Sequence, residues 1–201
     1  MIVDSHCHAW RSWPYEPPVP DPFSRPAVER LLFEMDPYGV EEAVLVAARI
    51  VHNLDNNDDG AYCVRRFPDR LYQFADVDRM WTPMYDTPGA ADRLAQASRT
   101  YNLRGFTHNV DAADDGSWFF SDAGQTCFCT AADFNQIVSL SLPAHLQPAL
   151  RRLAEQFPQT LFVCHHMGNP VTADGPAGAA LRTSDPSDST GARTIRSCAG
   201  R

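Results

Sequence analysis

Two histidines stand one residue apart near the start of the chain, in Asp4-Ser5-His6-Cys7-His8. Residues i and i+2 of a strand point to the same side, so His6 and His8 project together. Two imidazoles placed this way at the end of a strand can grip one divalent cation. The plainer alternative is two polar residues on the exposed face of an edge strand. The apolar lead-in Met1–Val3 and the Trp10 exit strengthen the metal reading.

A second cluster, Cys164-His165-His166-Met167-Gly168, falls at the end of a later apolar run. His165 and His166 alternate, so only one of them faces an interior, and Gly168 allows a tight exit or a close ligand approach. Its alternative is a histidine satisfied by backbone. His108 ends another apolar run after Arg104-Gly105-Phe106-Thr107, where a solvent-exposed strand end would serve equally. Arg49 and His52 follow Glu42–Ala48 and can reach a substrate carboxylate, although surface placement fits as well. His145 follows Pro143 at a helix start and is a weaker ligand candidate.

Nucleophilic chemistry finds little support. No G-x-S-x-G elbow is present. Cys7 and Cys164 each adjoin a histidine, but adjacent strand residues point apart. All 17 basic residues are arginine. The absence of lysine excludes Schiff-base catalysis, a P-loop lysine and a carboxylated-lysine metal bridge.

These residues need a scaffold, and the hydrophobic pattern alternates strands with helices. Strands are expected at Ile2–His8, Glu42–Ala48, Leu71–Val77, Leu103–Val110, Ile137–Leu142 and Leu161–His166. Helices are expected from Ala27 to a stop at Gly39, and at Ala61–Phe67, Ala90–Tyr101, Asp122–Phe134 and His145–Phe157. Alternation of this kind predicts a parallel sheet with right-handed crossovers. A doubly wound sheet and a (β/α)8 barrel both fit. No G-x-G-x-x-G follows a strand, which removes support for the dinucleotide-binding version. Either architecture puts chemistry at the strand C-termini.

Length and charge narrow the classes further. The 201 residues are 44% hydrophobic and 21% charged, enough for one globular domain or one domain with a tail. A formal charge of −8 argues against nucleic acid and anionic membrane as partners. No apolar run is long enough to span a bilayer. No signal-peptide pattern is present, so a cytoplasmic protein is expected. The six cysteines read as reduced structural thiols. Residues 171–201 hold no aromatic residue and few large aliphatics, which predicts a disordered or out-of-frame tail after a folded portion at 1–170.

The ordered set of motifs resembles the amidohydrolase superfamily, in its amidohydrolase-2 branch of metal-dependent barrel hydrolases. Ile2-Val3-Asp4-Ser5-His6-Cys7-His8 looks like the family's D-x-H-x-H on strand one. Leu31 through Gly39-Val40-Glu41-Glu42-Ala43-Val44 looks like its first helix and second strand. Phe67-Pro68-Asp69-Arg70-Leu71 resembles the turn into strand three. Phe162-Val163-Cys164-His165-His166-Met167-Gly168-Asn169-Pro170 resembles the segment ending D-H-x-G-x-P.

The resemblance implies an α/β fold of the (β/α)8 TIM-barrel type, incomplete, with about six βα units. It implies His6 and His8 as metal ligands and His166 as the catalytic residue that polarises substrate or activates water. One divalent metal is implied, zinc first and manganese second. Arg49 and His108 are expected to bind a small, anionic substrate, and a homo-oligomer would cover open sheet edges. The expected reaction is attack of metal-activated water on a lactone, ester or amide carbonyl. The runner-up is a non-oxidative decarboxylase on the same scaffold; a third reading is an inactive truncated fragment or interaction module. The chain departs from the family at strand five, Ile137–Leu142, which carries no histidine, and at Thr107, where an arginine is common. The lactonase-like subgroup often lacks that histidine. The family's strand-eight aspartate has no counterpart.

Overall fold

A computed structural model describes residues 1–16, 18–50 and 53–165. Expectations for His52, His166, Gly168 and the segment 171–201 therefore lie outside the described residues.

Six strands alternate with five helices among the described residues: β1 (Ile2–Cys7), α1 (Val28–Met35), β2 (Val40–Val46), α2 (Asn56–Arg66), β3 (Leu71–Asp76), α3 (Ala90–Tyr101), β4 (Gly105–Asn109), α4 (Asp122–Asp133), β5 (Ile137–Ser141), α5 (Gln147–Gln156) and β6 (Phe162–Cys164). Short 3-10 turns at Asp36–Tyr38, Ser117–Phe120 and Ala144–Leu146 complete the set. Sheet order is β1-β2-β3-β4-β5-β6. The registers of β1 with β2, β2 with β3, β3 with β4 and β5 with β6 are parallel.

That order decides between the two architectures left open by the alternation. A doubly wound sheet reverses its strand order at a switch point. Here the order follows the chain without reversal, the rule for a (β/α)8 barrel. The fold is of that type and incomplete, with six strands described.

The chain divides into two compact units. The first is Met1–Val77 with Gln96–Thr107; the second is Asp78–Ala95 with His108 onward. In the first, Ala43 and Leu45 of β2 and Leu71 of β3 pack with Val28 and Met35 of α1, Cys63 of α2 and Ala9. The continuous apolar run of β2 suits a strand covered on both faces. Helix α1 runs into the 3-10 turn and stops at Gly39, whose backbone is left-handed at φ 66°, a conformation glycine adopts without penalty.

In the second unit Phe128 of α4 is the aromatic centre, with ring centroids 5.7 Å from Phe157, 5.9 Å from Phe162 and 6.1 Å from Phe119. Ser121 caps α4 by accepting from the Gly124 amide at 3.2 Å. A Cβ on Gly124 would sit 2.1 Å from the Trp118 carbonyl oxygen, so only glycine permits this approach of helix to turn.

Helix α2 departs from expectation. It begins at Asn56, five residues before the expected start at Ala61. The sequence Asn56-Asn57-Asp58-Asp59-Gly60 is polar and poor in helix formers, which reads as loop. In the structure both asparagines are buried and bond to strand ends, and those tertiary bonds override propensity. His145 lies within the 3-10 turn before α5 rather than at the start of an α-helix. No helix among the described residues is long and apolar enough to cross a membrane.

Candidate metal and substrate site

Strand β1 is not regular where it matters. Asp4 pairs with Ala43 and Cys7 with Leu45, so three steps on β1 oppose two on β2. This bulge falls on Ser5 and His6, and bulges re-aim side chains. The Asp4 carboxylate accepts from the His6 amide at 3.0 Å and fixes the local backbone.

His6 and His8 end with their Nε2 atoms 3.2 Å apart, and both residues are half-buried. Two nitrogens bound about 2.0–2.1 Å from one tetrahedral ion lie roughly 3.3 Å apart. The pair therefore fits a shared divalent ion. The His8 Nδ1 atom lies 2.7 Å from the Val46 carbonyl oxygen. An Nδ1–H donating there leaves Nε2 as the ligating atom, the usual arrangement behind a metal-bound histidine. The His8 ring also stacks on Trp10, with centroids 4.9 Å apart and planes 18° from parallel. Trp10 is held in turn by its indole N–H, which donates to the Ala48 carbonyl at 3.2 Å. Among the described residues no group of three or more His, Cys, Asp or Glu forms a metal cage.

Cys7 points away from this pair. Its thiol donates to the Val44 carbonyl at 3.3 Å. Burial first, then the charge of Asp4, pushes the thiol up to about 12, so it stays protonated near neutral pH. The five described cysteines are free thiols.

Three asparagines frame the strand ends of the first unit, and sequence reading missed all three. Asn56 accepts from the Ala48 amide at 2.7 Å and donates to the Ala9 carbonyl at 2.8 Å. Asn57 accepts from the Asp76 amide at 2.8 Å and donates to the Asp76 carbonyl at 3.0 Å. Asn53 donates to the Ser12 carbonyl at 3.0 Å. An amide side chain offers one acceptor and two donors, so Asn56 and Asn57 continue the strand hydrogen bonding where the strands stop, while Asn53 holds the loop after β1. The available signal was the density of Asn in 53–57, which composition alone assigns to a turn.

Arg49 belongs to the same unit. Its backbone amide donates to Asp76 Oδ2 at 2.9 Å, and its Nε donates to the Leu54 carbonyl at 2.7 Å. The residue is exposed.

In the second unit His108 is not a solvent-exposed strand end: it is 3% exposed. Its ring lies between Tyr85 and Trp118, with centroids at 5.5 Å and 5.1 Å and planes within 20° of parallel. His165 is 4% exposed at the end of β6. His145 is exposed, with Nε2 2.8 Å from the Asp114 carbonyl oxygen.

An amidohydrolase family model matches residues 3–184. The chain belongs to the amidohydrolase family. Solved structures similar to this amidohydrolase include a probable 2-pyrone-4,6-dicarboxylic acid hydrolase from Acinetobacter baumannii with citric acid bound, at 19% identity and TM-score 0.52. That match covers 81% of this chain and 56% of the other. A 4-oxalomesaconate hydratase from Rhodopseudomonas palustris aligns at 17% identity and TM-score 0.58, covering 82% of this chain and 62% of that one. A dihydroxybenzoic acid decarboxylase from a Polaromonas species, with bound manganese and the inhibitor 2-nitroresorcinol, aligns at 18% identity and TM-score 0.55, over 83% and 65% of the two chains. At these identities the likeness is one of fold. The chain spans between 56% and 65% of the length of these three proteins. No curated protein sequence matches the chain.

Proposed function

We propose that this amidohydrolase is a metal-dependent hydrolase whose activated water attacks a small lactone, ester or amide carbonyl. The observation that carries the reading is the 3.2 Å approach of the His6 and His8 Nε2 atoms, with His8 Nδ1 held on the Val46 carbonyl. Family membership supports it.

His6 and His8 would hold the ion, zinc first and manganese second on the preference of imidazole. A divalent ion there supplies Lewis-acid polarisation of a carbonyl and acidification of a water. The Val46 carbonyl and Trp10 keep the His8 ring in one tautomer and one plane. The Asp4 carboxylate holds the backbone that aims His6. His166 is assigned the general acid–base or polarising role, and Arg49 and His108 the contacts to a small anionic substrate. A soluble, cytoplasmic setting suits such a substrate.

Metal content and turnover test the reading together. Wild-type protein purified without chelator is expected to bind about one divalent ion per chain by mass spectrometry, and the His6→Ala/His8→Ala variant none. Equal stoichiometry in both proteins would overturn the site. With the metal bound, ring opening of dicarboxylated lactones is the expected activity. Release of carbon dioxide from aromatic acids, without ring opening, would put the decarboxylase reading first. Stoichiometric metal with neither activity would support a binding module that keeps the ancestral site.

A further inference from the structure

The packing of the first unit tells the two faces of its strands apart. Cys7 of β1, Ala43 and Leu45 of β2 and Leu71 of β3 pack with Val28 and Met35 of α1 and Cys63 of α2. Gln73 of β3 lies on that face too, because its amide donates to the Asn57 carbonyl of α2 at 2.7 Å. This is the helix-covered face. Side chains alternate along a strand, so the neighbours of these residues lie on the other, inner face. His8 follows Cys7 and stands there, with His6 against it at 3.2 Å. Asp76 ends β3, an odd number of residues past Gln73, and falls there as well. Thr107 of β4 pairs with Asp76 in the parallel register. Paired residues of neighbouring strands share a face and stand about 4.8 Å apart. One face thus carries His6, His8, Asp76 and Thr107, and in a (β/α)8 fold the residues that do chemistry come from strand ends.

The two polar side chains of β3 and β4 differ in how they are held. Asp76 is 3% exposed and fixed from several sides. Asn57 holds its backbone amide at 2.8 Å and its carbonyl at 3.0 Å, and its Oδ2 accepts from the Arg49 amide at 2.9 Å. Thr107 is 0% exposed, and its Oγ1 has no hydrogen-bond partner among the described residues. A buried hydroxyl without a partner is costly and rare. Valine would fill the same space at no such cost.

We infer that Thr107 and Asp76 form a subsite for a hydroxyl group of the substrate, on the face that carries His6 and His8. The chemistry selects the ligand. A carboxylate offers acceptors only, and a threonine hydroxyl has a proton to donate. The group that joins them must donate to Asp76 and accept from Thr107, and an alcohol or enol O–H does both. A substrate carboxylate has no proton to give and meets a like charge. A methyl group leaves the Thr107 hydroxyl unsatisfied. The two residues are therefore specificity-determining, and contacts to an anionic group lie elsewhere. The subsite rests on the proposed metal reading for the reacting end of the substrate only; its own residues come from β3 and β4.

Three ligands of one skeleton test this, with a hydroxyl, a methyl or a carboxylate on the same carbon: 3-hydroxybutyrate, isovalerate and methylsuccinate. Calorimetry measures their binding to the whole zinc-loaded protein, or to the metal-free protein should zinc not bind. The hydroxylated acid should bind about tenfold tighter or more than the other two. Thr107→Val should erase that preference and Thr107→Ser should keep it. Because the hydroxyl has no partner in the chain, Thr107→Val should also keep or raise the urea midpoint. A lowered midpoint, or failure of Thr107→Val to fold, would make the hydroxyl a structural bond and overturn the subsite. Absence of the preference in wild type, weak binding of all three included, overturns it too, as does a preference that survives in Thr107→Val. In Asp76→Asn the methylsuccinate disadvantage should shrink; an unchanged ratio removes Asp76 from the subsite. The metal reading is judged separately, by the zinc content of His6→Ala/His8→Ala, so either idea can fail without the other.

Discussion

The indole N–H of Trp10 donates to the Ala48 carbonyl, and the face of that same indole carries the His8 ring. A residue that looks like core packing thus sets the plane of an imidazole proposed to bind metal. Replacing Trp10 with leucine keeps an apolar side chain but removes both the stack and the bond. Partners standing behind metal ligands typically matter 10–100-fold in affinity. We expect Trp10→Leu to weaken zinc binding by about tenfold or more while keeping the stoichiometry, read by competition against a chromophoric chelator.

Cys7, between the two histidines in sequence, should behave as a bystander. Its thiol is pushed up to about 12 and bonded to Val44. Only a trace is thiolate at pH 8, so iodoacetamide should label Cys7 far more slowly than it labels the unfolded chain. Cys7→Ala should bind the same number of ions as wild type. A lost ion in that variant would make the thiol a ligand.

Asn57 is buried and satisfies both the amide and the carbonyl of Asp76, itself 3% exposed. Asn57→Ala strands two buried backbone groups. At roughly 1–3 kcal/mol for each unsatisfied group, the expected loss is about 2–6 kcal/mol in urea unfolding. Asn57→Asp keeps the acceptor and loses the donor, and should fall between the two proteins.

Gly124 gives a steric prediction. Alanine there places a methyl carbon against the Trp118 carbonyl oxygen, a backbone atom that cannot swing aside. Overpacking of this kind costs about 1–3 kcal/mol. Gly124→Ala should lower the melting temperature even though alanine is the better helix former.

The pH dependence of global stability follows from Asp86. Its folded-state value of about 7 lies above the ordinary carboxylate range, so this group's contribution is full at low pH and is lost as pH rises to about 7. Relative to Asp86→Asn, wild type should therefore be less stable at pH 7.5 than at pH 5. Urea midpoints of the two proteins at those two values check the sign.

The elements were legible wherever burial and period agree. β2, β3, α3 and β5 combine apolar runs or a helical stripe with Gly or Pro stops, and their bounds match the expected ones within two residues. The pairing of His6 with His8 was legible because the i, i+2 rule needs no tertiary information. What brings them together was not. The bulge at Ser5–His6 is set by the register of β1 on β2, which leaves no local signature. The asparagines of α2 were opaque for the opposite reason: their local signature was strong and pointed to a turn. His108 read as an exposed strand end because its two covering rings come from residues 23 positions before it and 10 after.

Strand order has a consequence for how this chain reaches its fold. The paired residues of neighbouring strands stand only 24 to 39 positions apart in the chain. Each strand can dock as soon as the next βα segment has left the ribosome, without waiting for a distant partner. The growing sheet always offers its newest strand as the template for the one being synthesised. Synthesis delivers roughly 5–20 residues per second, so each template waits between about one and eight seconds for its match. During translation the chain is thus assembled in the order in which it is written.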